Sequence, residues 1–151
     1  MKKTLTAVVA CAALFASAAA ADVNSSIQKL SADASSYHGL LIADAQKLAA
    51  DAQSLVGTKD KAAGKALLTA DIAKLKADRD ATHSALEADR AALHADLEAL
   101  KGTKPGKDAR TALKTALDQL HTSVQAERQD VKTSQDAARA ALQALRDSFK
   151  K

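Results

Sequence analysis

The sequence repeats itself at a shift of 45 residues, and this repeat constrains the fold more than any other feature. Without a gap, residues 24–59 and 69–104 are identical at 16 of 36 positions. The matches include apolar residues such as Leu41 and Leu86, and both copies end in Gly-Thr-Lys. A second shift of 45 carries the apolar positions more weakly into the last third of the chain. Repeats of this length predict a fold that stacks copies of one supersecondary unit.

Each repeat has the composition and periodicity of one long helix. Strong helix formers dominate, and large apolar residues recur every seven positions, the spacing of a coiled-coil seam. The predicted seam residues are Ile27, Ala34, Leu41, Leu48 and Leu55, then Ile72, Leu86, Leu93 and Leu100, then Leu117, Val124, Val131, Ala138 and Leu145. A second line adds Leu30, Tyr37, Leu75, Leu113 and Leu120. Leu75, Leu86 and Leu97 keep an 11-residue spacing instead, so the handedness of the supercoil stays open.

Helix-breaking residues fall where the repeats end. Asn24-Ser25-Ser26 predicts the cap of the first helix, Gly57-Thr58 separates the first two helices, and Gly102-Thr103-Lys104-Pro105-Gly106 separates the last two. We therefore predict helices over about residues 25–56, 59–101 and 106–149. Short connections make neighbouring helices pack antiparallel. The predicted fold is all-α: an elongated antiparallel three-helix bundle, or coiled coil, built from three repeats of about 45 residues.

Two details of the first helix follow from this arrangement. If the chain reverses around residues 57–58, His38 faces Ala77 rather than the other repeat's His83. Gly39, in the middle of the helix, is expected to loosen it at a cost of about 1 kcal/mol relative to Ala.

The N-terminus has the layout of a bacterial-type secretory signal peptide. Lys2 and Lys3 precede a short apolar run and an Ala-x-Ala pattern, which predicts that residues 1–21 are cleaved after Ala21. The run is too short for a membrane span. Val8-Val9-Ala10-Cys11 also resembles a lipoprotein processing box, so whether Cys11 is lipidated or removed stays open. The remainder, 22–151, is predicted to be a single Ala-rich helical domain in the periplasm or secreted.

Charge and composition exclude some partners and favour others. Without the signal peptide the chain has 20 Lys and Arg against 18 Asp and Glu, interspersed along the helices, and two aromatic residues. Nucleic-acid binding is therefore not expected. The only Cys lies in the predicted signal peptide, so no disulfide is expected. An Ala-rich seam buries little area per residue, which predicts self-association or a protein partner.

The strongest candidate for a site is an 11-residue echo, ADRDATHSALE followed by ADRAALHADLE. Each copy places a His four residues before a Glu, on one helix face: His83 with Glu87, and His94 with Glu98. Solvated contacts within the helix are the favoured interpretation. Packing around the second connection brings His121 across from Glu87, so His83, Glu87 and His121 form the one predicted transition-metal site. No cofactor is predicted.

Enzymatic activity is not expected. The predicted mature chain has no Cys, no Gly-x-Ser-x-Gly elbow and no Gly-rich phosphate loop. The carboxylates of the second repeat alternate with Arg79 and Arg90, which is typical of a solvated helix face. With two aromatic residues, a concave apolar pocket is not expected either.

Binding roles remain. A helix on a lipid surface needs a broad apolar face, whereas these helices show a narrow Leu seam bordered by Ala, so lipid-surface association is not favoured. The stretch KLAADAQSLVGTKDKAAGKA resembles the late embryogenesis abundant class, which implies a stress-protective or chaperone-like role. The first prediction is an exported, non-enzymatic helical structural or interaction protein of the periplasm or cell envelope. The alternatives are that protective role and weak metal binding.

Overall fold

The computed structural model describes residues 18–58 and 61–150, and within these ranges the protein consists of three helices and their connections. The helices are α1 (Ala18–Ser54), α2 (Lys61–Gly102) and α3 (Lys107–Ser148). The predicted all-α fold with three helices is confirmed. Residues 1–17, which include most of the predicted signal peptide and Cys11, lie outside the described residues.

Helix α1 begins at Ala18, so the prediction of a cap at residues 24–26 is wrong. The Oγ of Ser26 does not cap a helix but donates a 2.5 Å hydrogen bond to Asp96 of α2. The helix extends further because Ala18–Ala21 are all alanine, the strongest helix former. The other helix ends lie within two residues of the predicted ones.

A glycine ends α1 as the sequence predicts. Gly57 has a φ of 83°, in the left-handed region that a residue without a Cβ adopts at low cost. The N–H of Thr58 donates to the carbonyl of Leu55 over 3.1 Å and closes the last turn. Pro105 lies in the connection between α2 and α3, where its missing N–H is not needed.

Gly39, inside α1, and Gly57, just after it, should respond oppositely to alanine. Gly39 lies inside α1, and a Cβ there would meet nothing within 4 Å, so Gly39→Ala should raise the free energy of unfolding by about 0.5–1 kcal/mol. Gly57→Ala should lower it by about 1 kcal/mol, because alanine is strained at positive φ. Urea denaturation measures both changes. A change of the same sign in both variants would contradict the assigned backbone conformations.

The chain divides into two compact units. Among the described residues, unit 1 comprises 18–34 and 85–125, and unit 2 comprises 35–58, 61–84 and 126–150. Each unit therefore contains a segment of every helix. The buried apolar residues of unit 1 include Val23, Ile27, Leu30, Leu86, Leu93, Leu100 and Leu120.

The core of unit 2 consists of two small clusters. One contains Ala45, Leu48 and Ala138, and the other contains Ala52, Ala141 and Leu145. Across both clusters, four of the six buried residues from α1 and α3 are alanine. From α2, Leu68 packs against both clusters and Leu75 against the first. Residues 45–48 of α1 cluster with residue 138 of α3, and residue 52 of α1 clusters with residues 141–145 of α3, so the residue numbers of both helices rise together. Within unit 2, α1 and α3 are thus parallel.

Helices α1 and α2 are antiparallel, as predicted, but in a shifted register. In unit 2 the Nζ of Lys47 lies 2.6 Å from Asp71, and the Nζ of Lys74 lies 2.7 Å from Asp44. The two α2 residues of these pairs, Asp71 and Lys74, lie three residues further along α2 than the positions that a reversal centred on residues 57–58 predicts. The connection is effectively centred near residue 59, so the predicted pairing of His38 with Ala77 is wrong.

The predicted seam is buried or half-buried at most positions, with one clear error. Ile72 retains 48% of its surface exposed, whereas the preceding Asp71 is buried. In this part of α2 the side chains that face inward are Asp71, Leu75, Thr82 and Leu86. They form two pairs 11 residues apart, Asp71 with Thr82 and Leu75 with Leu86. The 11-residue spacing therefore describes this face of α2 better than the seven-residue spacing that selected Ile72.

Candidate ligand-binding groove

Two lysines of unit 2 each connect a buried carboxylate to a half-buried one. Lys74 reaches the buried Asp44 on α1 and, over 2.5 Å, Asp78 one turn along its own helix. Lys47 in the same way joins the buried Asp71 on α2 to Asp51, with both distances at 2.6 Å.

Unit 1 contains the repeat equivalents of these bridges. Lys29, the counterpart of Lys74, contacts Asp89 on α2 and lies 2.8 Å from Asp33. The counterpart of Lys47 is Ala92, so the second bridge has no cation in this unit. Ser26 stands where unit 2 has Asp71, and its hydroxyl binds Asp96 directly. The loss of a lysine is thus accompanied by the loss of one carboxylate, which keeps the local charge balanced.

These bridges select the register of α1 against α2. The carboxylates of Asp44, Asp71 and Asp89 each bind a lysine through Oδ1, while in the described residues Oδ2 of each is buried with no hydrogen-bond partner. A buried carboxylate is unfavourable unless it is paired. A slip of α2 along α1 would separate all three from their lysines, so other registers are disfavoured.

Stability should depend on pH through the half-buried carboxylates of the bridges. Asp33, Asp51 and Asp78 have pKa values below the ordinary 3.8 because each accepts a hydrogen bond from the lysine four residues before it. Because the pKa of each carboxyl is lower in the folded than in the unfolded protein, its ionised form stabilises the fold at pH values above the unfolded-state pKa. This stabilisation is lost as the pH falls through the folded-state pKa. The same contacts raise the lysine pKa values above 10.5, so their contribution is lost only at more alkaline pH. Urea unfolding should therefore show a plateau of stability from about pH 5 to 10 with a fall below pH 4. Maximum stability near pH 3 would contradict these pairings.

His38 is the histidine that the sequence did not single out. It is buried in α1 of unit 2, and its Nδ1 lies 2.9 Å from Oε2 of Glu127 on α3. It occupies the inward face between Ala34 and Leu41, where the i, i+4 and i+3 spacing of apolar residues is the signal that could have located it.

The predicted metal-site residues all lie at exposed positions. His83 belongs to unit 2, whereas Glu87 and His121 belong to unit 1, and Nε2 of His121 lies 2.8 Å from the side-chain amide of Gln125. In the described part of the chain, no group of three or more His, Cys, Asp or Glu side chains is arranged to hold a metal ion. The favoured His–Glu contact within the helix is present at His94 and Glu98, 3.8 Å apart. The metal-site hypothesis itself stays a prediction.

An apolar groove opens between α2 and α3 of unit 2, so the expectation that no concave apolar pocket forms is wrong. Its first cavity has a volume of about 410 Å³, and a second cavity of about 290 Å³ lies next to it and shares the lining side chains of Ile72 and Leu142. We call these two cavities the α2–α3 groove. The apolar wall of the first cavity comprises Leu55, Leu68, Ile72, Leu142, Leu145 and Phe149. Five aliphatic side chains and one aromatic ring therefore build a pocket that the low count of aromatic residues did not predict.

A glycine shapes the floor of the first cavity. Gly64 is buried in the first turns of α2, and a Cβ at this position would lie 3.1 Å from Cδ2 of Leu55. This contact is closer than ordinary van der Waals packing. The absence of a side chain at Gly64 allows Leu55 to cover the start of α2 and form one wall of the groove.

Only cations provide formal charge along the described lining of the α2–α3 groove. They are Lys61, Lys65 and Arg146 at the first cavity and Lys76, Arg79 and Arg139 at the second. The Nζ of Lys61 lies 5.2 Å from the ring centroid of Phe149, so this cation extends over the apolar wall. Arg79 and Arg139 also contact Asp80 and Asp136 on their own helices.

Unit 1 has an equivalent cavity of different charge. It has a volume of about 440 Å³ and uses Leu100, Arg110 and Leu113, the positions 45 residues after Leu55, Lys65 and Leu68. Glu98 joins its lining, and Lys101 holds the pKa of this carboxyl below 4.5 by donating a hydrogen bond over 2.6 Å. The repeat therefore produces a cavity twice, but only the α2–α3 groove of unit 2 combines an apolar wall with a purely cationic rim.

The chain matches no protein-family model, no curated protein and no solved structure. Among the described helices, none has a stretch long and apolar enough to cross a membrane. Function must therefore be argued from the groove itself.

Proposed function

We propose that this chain is an exported, non-enzymatic helical protein of the periplasm or cell envelope, and that it acts by binding an apolar, negatively charged ligand in the α2–α3 groove. The observation that carries the proposal is the groove's combination of an aliphatic wall and a cationic rim. A concave apolar cleft of a few hundred Å³ with a few converging charged groups is the usual form of a ligand-binding site. Export and the absence of enzymatic activity rest on the sequence arguments given above.

Photo-crosslinking in intact cells tests whether the groove is a working surface. A photoreactive amino acid at position 72 lies in the groove, whereas the same residue at position 67 lies on α2 outside it. Ile72 and Leu67 are similarly exposed, at 48% and 40%, which makes position 67 a matched control. We expect an adduct with an envelope component from position 72 and none from position 67. Identical products from both positions, or none from position 72, would refute a groove-dependent interaction.

Cell fractionation tests the location separately. The mature protein should be found in the envelope or periplasmic fraction, with Asp22 as its first residue. An unprocessed chain in the cytoplasm would remove export from the proposal. The stress-protective and metal-binding alternatives stay predictions, since no contact in the described residues favours either.

A further inference from the structure

The geometry points to a long-chain fatty acid as the ligand of the α2–α3 groove, an inference that rests on the proposed function. Its hydrocarbon chain lies along the aliphatic wall, and its carboxylate meets the cations of the first cavity, Lys61, Lys65 and Arg146. Three features of the groove support this ligand: its length, its width and its charge.

The groove is long enough for an acyl chain. Its lining on α2 extends from Lys61 to Arg79, which corresponds to about 27 Å at 1.5 Å per residue. One leaflet of a bilayer, about half of its 30 Å hydrocarbon core, gives about 15 Å for a membrane acyl chain. A membrane acyl chain of ordinary length is therefore shorter than the groove, and the first cavity alone extends about 16 Å along α2.

The groove is narrow. The first cavity extends along α2 from Lys61 to Ile72, about 16 Å, so its volume corresponds to a mean cross-section of about 25 Å². A hydrocarbon chain with neighbours about 4 Å away fits a space of this width. An α-helix with its side chains is about 10–12 Å in diameter and would not be enclosed. The width of the first cavity therefore suits one extended hydrocarbon chain.

The charge pattern favours an anion and disfavours a second copy of this protein. Six lysines and arginines line the groove, and no described carboxylate does so. If two copies of the protein paired symmetrically through this face, the lysines and arginines of one copy would lie against those of the other. This contact between like charges is unfavourable. A carboxylate at the end of an apolar chain instead gains charge-assisted hydrogen bonds at the rim.

Fluorescence displacement tests the inference on the purified full chain. The protein has no Trp and one Tyr, so its own emission interferes little with a fluorescent fatty acid such as cis-parinaric acid. Hexadecanoate, used below the concentration at which it self-associates, should displace this probe with one site per chain. Hexadecanol has the same chain without the charge and should bind at least about tenfold more weakly.

Matched substitutions locate the site. Ile72→Glu places a carboxylate in the groove and should weaken hexadecanoate binding at least about tenfold, whereas Leu67→Glu on the same helix should change it less than about twofold. Lys65→Glu replaces an exposed rim cation and should weaken binding about fivefold or more, with Lys132→Glu, outside the groove, as its control. The Lys65 pair keeps the test valid if Ile72→Glu does not fold, as judged by circular dichroism.

Several outcomes would overturn the inference. Equal binding of hexadecanol would remove the charge recognition, and equal effects of Ile72→Glu and Leu67→Glu would remove the groove. Groove-dependent binding to phosphatidylglycerol vesicles without binding of free hexadecanoate would assign the groove to a membrane surface instead. If hexadecanoate does not bind while crosslinking from position 72 persists, this inference fails and the proposed function survives. If both are absent, both fail.

Discussion

Leu48→Ala is expected to lower the free energy of unfolding by about 3 kcal/mol. Leu48 is 3% exposed in the core of unit 2, where it packs with Ala45 and Ala138. Removing its isobutyl group loses the transfer free energy and leaves a cavity. Ala45 and Ala138 have no side-chain atoms that could rotate into that cavity, whereas the leucines packed against the cluster can fill part of it, so a value near the middle of the range is expected.

Leu40→Ala provides the control for this prediction. Leu40 lies on the same helix and in the same unit but is 40% exposed. Its replacement should change the free energy of unfolding by less than about 1 kcal/mol. Urea denaturation followed by circular dichroism measures both variants. Equal effects of the two substitutions would mean that α1 does not present its Leu48 face to the core.

His38→Ala is expected to lower the free energy of unfolding by about 2 kcal/mol. The substitution creates a cavity at a position with 6% exposure and leaves the carboxylate of Glu127, whose side chain is 17% exposed, without its imidazole partner. Glu127→Gln should cost less than His38→Ala, because an amide in the same place can still bond to Nδ1.

His94→Ala separates the burial of His38 from general effects of removing a histidine. The side chain of His94 is 75% exposed and lies 3.8 Å from Glu98, so its loss should leave the free energy of unfolding unchanged within error. The two variants can be compared by thermal or urea unfolding under identical conditions. A loss from His94→Ala as large as that from His38→Ala would contradict the assignment of His38 to the buried face.

The three helices could be predicted because local signals agree with one another. The repeat, the helix-forming composition and the Gly and Pro positions all mark the same boundaries, and positions such as Leu41, Leu48 and Leu93 are buried as the seven-residue pattern predicts. The start of α1 could not be placed in the same way. An Asn-Ser-Ser sequence caps a helix only if the preceding residues leave the helical conformation, and the preceding alanines do not.

The polar contacts depend on register, which the sequence leaves undetermined. The repeat comparison identified Lys29 with Lys74 and Asp44 with Asp89 as equivalent residues. It did not pair them, because a shift of three residues along α2 changes every partner on the facing helix. The contact between His38 and Glu127 also requires α1 and α3 to be parallel neighbours in a particular offset, and periodicity within one helix carries no information about that offset.

The sequence analysis did not predict the groove, because the groove depends on how side chains of different size from three helices pack together. Alanine predominates where α1 and α3 meet in unit 2, while α2 contributes Leu68 and Leu75. We interpret the space along α2 and α3 as a consequence of this mismatch. In the sequence the same alanines indicated only a thin seam, and the exposed Ile72 was assigned to it. Of the cationic rim, Arg79 had been interpreted as part of a solvated face.

The account's central claim is that the α2–α3 groove binds an anionic amphiphile, and two-dimensional ¹H–¹⁵N NMR tests it most directly. On addition of hexadecanoate, the amide resonances of residues 61–79 and 135–149 should shift and saturate at one equivalent. The resonances of unit 1, residues 18–34 and 85–125, should change little. An unchanged spectrum, or shifts spread evenly over both units, would contradict the claim.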